Sequence, residues 1–278
     1  MIIVDAQIHV WGADKPERPW PQGHTEPHRP VPFSPDDAIR EMDAAGVDRA
    51  ILVPPLWEGI RNDLALDGVQ RYPGRFAIMG RIDPESPLSR GLMKDWRKQP
   101  GMLGLRIVPS REPVRTLLSE GRLEWLWGEA EAAGVPIMVF IEPSQIDIID
   151  HIAERYPGLR LILDHLCIPK RSKDEIAFRH LDHLLTVAKR PNIAVKATTL
   201  PINTTDPYPF RRLHPYLRRI CDAFGCKRVF WGSDVTRMPC PYRQMVTMFT
   251  EEIPWLTAGD LEWIMGRGLC EWIGWELA

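Results

Sequence analysis

Residues 1–12 read M-I-I-V-D-A-Q-I-H-V-W-G. An apolar, β-branched run leads directly into three polar side chains, Asp5, Gln7 and His9, set at every second position. Residues two apart on a strand point the same way, so the spacing predicts one polar face carrying all three. In the first strand of a barrel such a face would point inward and end at the mouth.

The rest of the chain repeats this opening. Short β-rich runs at 2–10, 49–53, 76–82, 103–108, 136–141, 159–164, 193–197 and 229–232 alternate with amphipathic segments such as 34–45, 118–133, 144–155 and 213–224. Several of the latter end in Gly or Tyr-Pro-Gly, as helices do. Ser34-Pro35-Asp36-Asp37 reads as a helix start: a cap, a proline in the first turn, and acids at the positive end of the dipole. Eight such alternations predict an α/β fold, a (β/α)8 TIM barrel forming a single domain over 1–278, with 240–278 supplying a final pair of helices. A doubly wound sheet is the weaker alternative, because no glycine-rich phosphate loop follows the first strand. Two segments break the rhythm, 13–35 after strand one and 198–215 after strand seven. Both are expected to extend over the barrel mouth as lids. His24 and His28 lie in the first and read as solvated unless that loop folds inward.

Composition narrows the function classes. The 278 residues are 44% hydrophobic and 26% charged with a net charge of −2, which suits one large core and gives no reason to expect a nucleic-acid or membrane-surface partner. No apolar run reaches membrane-spanning length and no basic leader precedes the first strand, so a cytoplasmic protein is expected. The five cysteines form no C-x-x-C pair and are expected to be reduced. A homo-oligomer is compatible with all of this.

Barrel enzymes collect their chemistry at the C-terminal ends of the strands. Here those ends carry Gln7 and His9; Pro54, Pro55 and Trp57; Arg81 and Asp83; Arg106; Glu142; Asp164 and His165; Lys196 and Thr198; Ser233 and Asp234. Each has a structural alternative. His9 and His165 could be core histidines, Asp234 could cap the following helix, and Asp164 could support a loop. Lys196 reads equally as a substrate cation or an interior ion-pair partner. Arg106 suits a two-pronged bond to a substrate carboxylate, or an internal pair with Glu142 or Asp83. Trp57 is placed to wall the pocket.

D-A-x-x-H on strand one, G-L-R on strand four, L-D-H-L on strand six and F-G-C-K-R-V-F-W-G-S-D on strand eight together resemble the amidohydrolase superfamily. The branch they resemble is that of 2-pyrone-4,6-dicarboxylate lactonase, sulfomuconolactone hydrolase and the sugar-lactone hydrolases. The resemblance spans nearly the whole chain and implies a TIM-barrel hydrolase, most simply a lactonase. The chain departs from the superfamily pattern in three places. The H-x-H motif is Gln7-Ile8-His9, Arg106 stands where a residue bridging two metals would be, and strand five ends in Glu142 without a histidine. A binuclear centre is therefore not expected. His9, His165 and Asp234 remain, either as a loosely held mononuclear site for Zn or Mn or as a metal-free site in which the histidines and Gln7 hydrogen-bond the substrate carbonyl. On either reading Asp234 activates water and His9 and His165 stabilise the oxyanion, with Gln7, Arg106, Lys196 and Trp57 contacting a small, anionic lactone. The alternatives are a metal-dependent decarboxylase of an aromatic or unsaturated acid, and an inactive ligand-binding barrel.

Overall fold

The computed structural model describes residues 1–23 and 27–276; His24 lies outside them. Eight parallel strands, β1 (Val4–Ile8), β2 (Arg49–Leu52), β3 (Phe76–Gly80), β4 (Met102–Ile107), β5 (Ile137–Val139), β6 (Leu161–Leu163), β7 (Ile193–Ala197) and β8 (Val229–Trp231), pair in sequence order into a nearly closed TIM barrel. Every expected strand is present, most shortened at their ends, where the chain peels away from its neighbours into the loops. Alternate residues such as Ile51, Met79, Met138, Ile162, Ala194 and Phe230 fill the barrel, while Leu52, Ile78, Val195 and Trp231 pack outward under the helices.

The helix at Pro35–Ala45 begins as expected: the Ser34 hydroxyl accepts from Asp37 N, the Asp37 carboxylate accepts from Ser34 N, and Gly46 closes the helix in the left-handed region. The helix expected over 118–133 is instead two, Val114–Ser119 and Glu124–Ala133, separated at Gly121, whose φ of 69° no continuing helix could adopt. After β8 come helices at Tyr242–Thr250 and Ala258–Glu262, the latter running through a π turn into Gly268–Ile273. Among the described residues no helix is long and apolar enough to cross a membrane.

β1 departs from the expected single polar face. Asp5 pairs with Ala50 but Ile8 with Leu52, so three steps along β1 match two along β2: a β-bulge. Ala6 and Gln7 consequently both face the barrel interior, and Asp5 faces out. The outward Asp5 carboxylate joins the two ends of the sheet. Its Oδ1 accepts from Gln7 N at 2.8 Å and from Ser233 N at 2.9 Å, and its Oδ2 accepts from the Tyr242 hydroxyl at 2.5 Å. Gly232 makes room for this: a Cβ there would lie 2.6 Å from Thr198 Cγ2 and 2.9 Å from Ala6 N. One backbone bond completes the seam, from Asp234 N to Gln7 O at 3.0 Å.

The loop after β1 is closed at its base by a two-way backbone bridge between Trp11 and Phe33. Its first limb is held by Arg18, which bonds Glu58 at 2.9 Å and Asp63 at 2.7 and 2.8 Å. The loop after β7 is tied to Asp174 by Thr204 and Thr205, and it borders a smaller side cavity next to the main one.

Candidate active site

The base of the site is a buried ion cluster. Asp164, at the end of β6, accepts from Arg106 Nε at 2.7 Å and lies 2.7 Å from Lys196 Nζ. Burial alone would raise the Asp164 pKa, but Lys196 and Arg106 outweigh it and hold the carboxyl below its usual range. Lys196 is completely buried. It is thus the interior ion-pair partner and not a substrate contact, and the partner of Arg106 is Asp164 rather than Glu142 or Asp83.

From Lys196 the order passes upward through Gln7. An ammonium can only donate, so the Gln7 oxygen faces it, Nζ to Oε1 at 2.5 Å, and the amide nitrogen must face the other way. Gln7 Nε2 lies 3.1 Å from His9 Nε2 and 3.3 Å from His165 Nε2, and its two hydrogens serve one imidazole each. His9 Nδ1 donates to Val53 O at 2.5 Å, and His165 Nδ1 pairs with Thr198 Oγ1 at 2.6 Å. Burial, aided by the charge of Arg106, pushes His9 down to about 3, and burial holds His165 well below the usual imidazole range. Both rings are therefore neutral and turn lone pairs toward Gln7. This corrects the expectation that the histidines and Gln7 donate to the substrate carbonyl: the amide's hydrogens are spent on the imidazoles, and His9 Nε2 is an acceptor.

Above Gln7 stands Asp234, in a left-handed conformation (φ 53°) just past β8. It is buried, and no hydrogen bond from the described residues reaches either carboxylate oxygen. Oδ1 lies 3.4 Å from His9 Nε2 and 3.8 Å from His28 Nδ1, and Oδ2 lies 3.7 Å from Arg237 Nη1. The loop after β1 does fold inward: His28 bonds Thr236 Oγ1 at 2.8 Å and packs edge-on against Trp57, with ring centroids 4.7 Å apart. Burial pushes His28 down to about 3 as well. Two neutral imidazoles and a carboxylate thus bring ligand atoms within 4.8 Å of one another. His9 Nε2 already accepts from Gln7 and His28 Nδ1 already pairs with Thr236, and cations line the cavity above, so the set as it stands does not fit a divalent cation. The cluster contains His28 where the sequence suggested His165, whose Nε2 is turned to Gln7.

The cavity over these residues measures about 550 Å³. Among the described residues Asp234 is its one acid, against Arg106, Arg111, Lys170, Arg171 and Arg237. Arg106 and Lys170 approach the face of Phe140 at 5.3 and 5.1 Å. Trp57 lines the wall as expected. Arg81 and Glu142 do not line this cavity, and Asp83 serves a turn by accepting from Glu85 N. Arg111, Lys170 and Arg171 were not singled out by strand ends, although the run K-R-S-K at 170–173 follows β6 on the same rim.

The amidohydrolase family model matches residues 4–267. The chain belongs to the amidohydrolase family. This amidohydrolase is similar to the L-fucono-1,5-lactonase of Burkholderia ambifaria, 25% identical over 233 residues that cover 83% of this chain and 79% of that one. It is 27% identical to the 4-sulfomuconolactone hydrolase of Hydrogenophaga intermedia over 252 residues, covering 84% and 77%. Among solved structures, a zinc-bound amidohydrolase from Burkholderia multivorans superposes with a TM-score of 0.81 at 19% identity, covering 99% of each chain. The amidohydrolase chain is thus an enzyme of the hydrolase class.

Proposed function

We propose that this amidohydrolase opens the ring of a small anionic lactone with water activated by Asp234. The observation that carries the reading is the Asp234 carboxylate itself: buried and, among the described residues, free of hydrogen bonds and the one acid in a cavity of five cations. A carboxylate so placed has its basicity available for chemistry, and the cations around it draw in anions. The lactone-hydrolysing activities named for both sequence relatives support the same class of reaction.

In this mechanism water lies against Asp234 and gives a hydrogen bond to its carboxylate. Asp234 takes a proton as the water oxygen bonds to the lactone carbonyl carbon. The guanidinium groups of Arg106 and Arg237 face the negative charge that develops on the carbonyl oxygen, and one such donor is typically worth about 3 kcal/mol. As the ring C–O bond breaks, Asp234 returns the proton to the departing oxygen, leaving a hydroxy acid.

The test is a panel of anionic and neutral lactones assayed by acid release, with evolved CO₂ measured in parallel on aromatic carboxylates. Hydrolysis favouring the anionic lactones is expected. CO₂ release without hydrolysis would replace this reading with a decarboxylase, and inactivity on both panels would leave a binding barrel.

A further inference from the structure

We propose that the side cavity next to the main one is a second substrate subsite, which takes a hydroxyl-bearing arm of the lactone and reads it with Asn203. The proposal rests on the lactone reading above and extends it from the reacting ring to what the ring carries.

The side cavity measures about 270 Å³ and shares Phe140, His165, Lys170, Arg171 and Arg237 with the main cavity. The two adjoin along that rim, so a molecule seated over Asp234 can extend from one into the other. The far wall comes from the loop after β7, as Thr199, Ile202 and Asn203. Asn203 is 7% exposed, and its amide nitrogen donates to Ser172 O at 3.2 Å. A backbone carbonyl only accepts, so the amide cannot be turned round, and Oδ1 is left without a hydrogen bond from any described residue. A buried acceptor in that position is costly unless a donor reaches it. Thr199 is committed in the same sense: its hydroxyl hydrogen goes to Thr198 O at 2.6 Å, which leaves the lone pairs of Oγ1 to accept. This wall therefore asks for donors. The shared rim is cationic and suits the anionic group of the substrate, whereas a carboxylate carried as far as Asn203 would meet lone pairs. A hydroxyl gives the hydrogen that the wall lacks, and the carbon chain bearing it passes Phe140 and rests on Ile168 and Ile202.

The experiment titrates the full chain in a calorimeter with two ring-opened acids, gluconate and the analogue of gluconate that lacks its two terminal hydroxyls. Both carry the same carboxylate, so they differ only in the arm. Gluconate should bind the wild type at least about tenfold more tightly than the analogue. Asn203→Leu should abolish that preference, weakening gluconate about tenfold and leaving the analogue within about threefold. Asn203→Asp keeps an acceptor oxygen but cannot donate to Ser172 O, so it should retain the preference. Thermal transitions show that each variant is folded, and Asn203→Ala replaces Asn203→Leu should the latter not fold. Loss of the preference in both Asn203→Leu and Asn203→Asp would overturn the proposal, since Asn203 would then only brace Ser172. So would a preference that survives Asn203→Leu, equal binding of the two acids by the wild type, or no binding of gluconate. Turnover does not enter the readout, so a protein that prefers gluconate through Asn203 yet hydrolyses no lactone would refute the lactone reading alone.

Discussion

Lys196 donates to Gln7 Oε1, and this buried bond determines which end of the amide meets the two histidines. The same ammonium neutralises Asp164. Lys196→Met should therefore destabilise the protein by about 3–5 kcal/mol, because Asp164 would keep only Arg106 as a counter-charge. Adding Asp164→Asn should recover part of that loss, read as a coupling in a urea double-mutant cycle. Independent, additive losses would show that the two side chains do not depend on each other.

Asp234→Asn should lower hydrolysis by at least about two orders of magnitude with an unchanged thermal transition. The fold should not register the change, since no hydrogen bond from the described residues reaches either Asp234 oxygen, and asparagine accepts the left-handed backbone found at this position. Turnover within a few-fold of wild type would remove Asp234 from the chemistry.

Asp5 gives a pH prediction. Burial raises its carboxyl from 3.8 to about 6, against the opposing hydrogen bonds of Ser233, Tyr242 and Gln7. The folded state then binds the proton more tightly than the unfolded state does. The Asp5 contribution to stability is full below about pH 4 and declines by about 3 kcal/mol as pH rises through 6. Asp5→Asn keeps an oxygen for both backbone amides but cannot ionise, so its stability relative to wild type should climb between pH 4 and 7 in urea titrations. Asp5→Ala, which orphans the Gln7 and Ser233 amides, should cost about 2–4 kcal/mol near pH 4, a loss that shrinks as pH rises through 6 and wild-type Asp5 ionises.

Lys170 tests the anionic substrate. Partial burial and the neighbouring Arg111 lower its ammonium pKa to about 8. It is charged below that pH and loses its attraction for anions above it, so KM for an anionic lactone should rise as pH passes from 7 to 9. Lys170→Met should raise that KM about tenfold at pH 7, flatten its pH dependence and spare a neutral lactone. Equal effects on both substrates would place Lys170 outside recognition.

The barrel was legible because its signal is periodic and repeated: each strand is a short apolar run ended by a turn or a polar residue. The same logic located Gln7, His9 and Asp234 at the mouth. The bulge in β1 was not legible, since the Asp5–Gln7–His9 alternation survives in the sequence and only pairing with Ala50 and Leu52 reveals the extra residue. Lys196 was placed on the right face but its depth was left open, because a buried ion pair and a substrate cation look alike without the third dimension. His28 escaped because a proline-rich loop has no period, and its contact with Asp234 comes from where the loop returns.

The seam between β1 and β8 bears on how the enzyme comes into being. Asp234 N bonds Gln7 O, and Ser233 N bonds Asp5, so groups near the two ends of the chain meet in the site itself. During synthesis Gln7 and His9 precede Asp234 by seven strands of the barrel and must wait for them before the three can meet. Contacts so distant in sequence form late, after the entropy of closing the intervening loop has been overcome. Barrel closure and assembly of the proposed site thus coincide, because the pairing that closes the sheet is the one that brings Asp234 to Gln7.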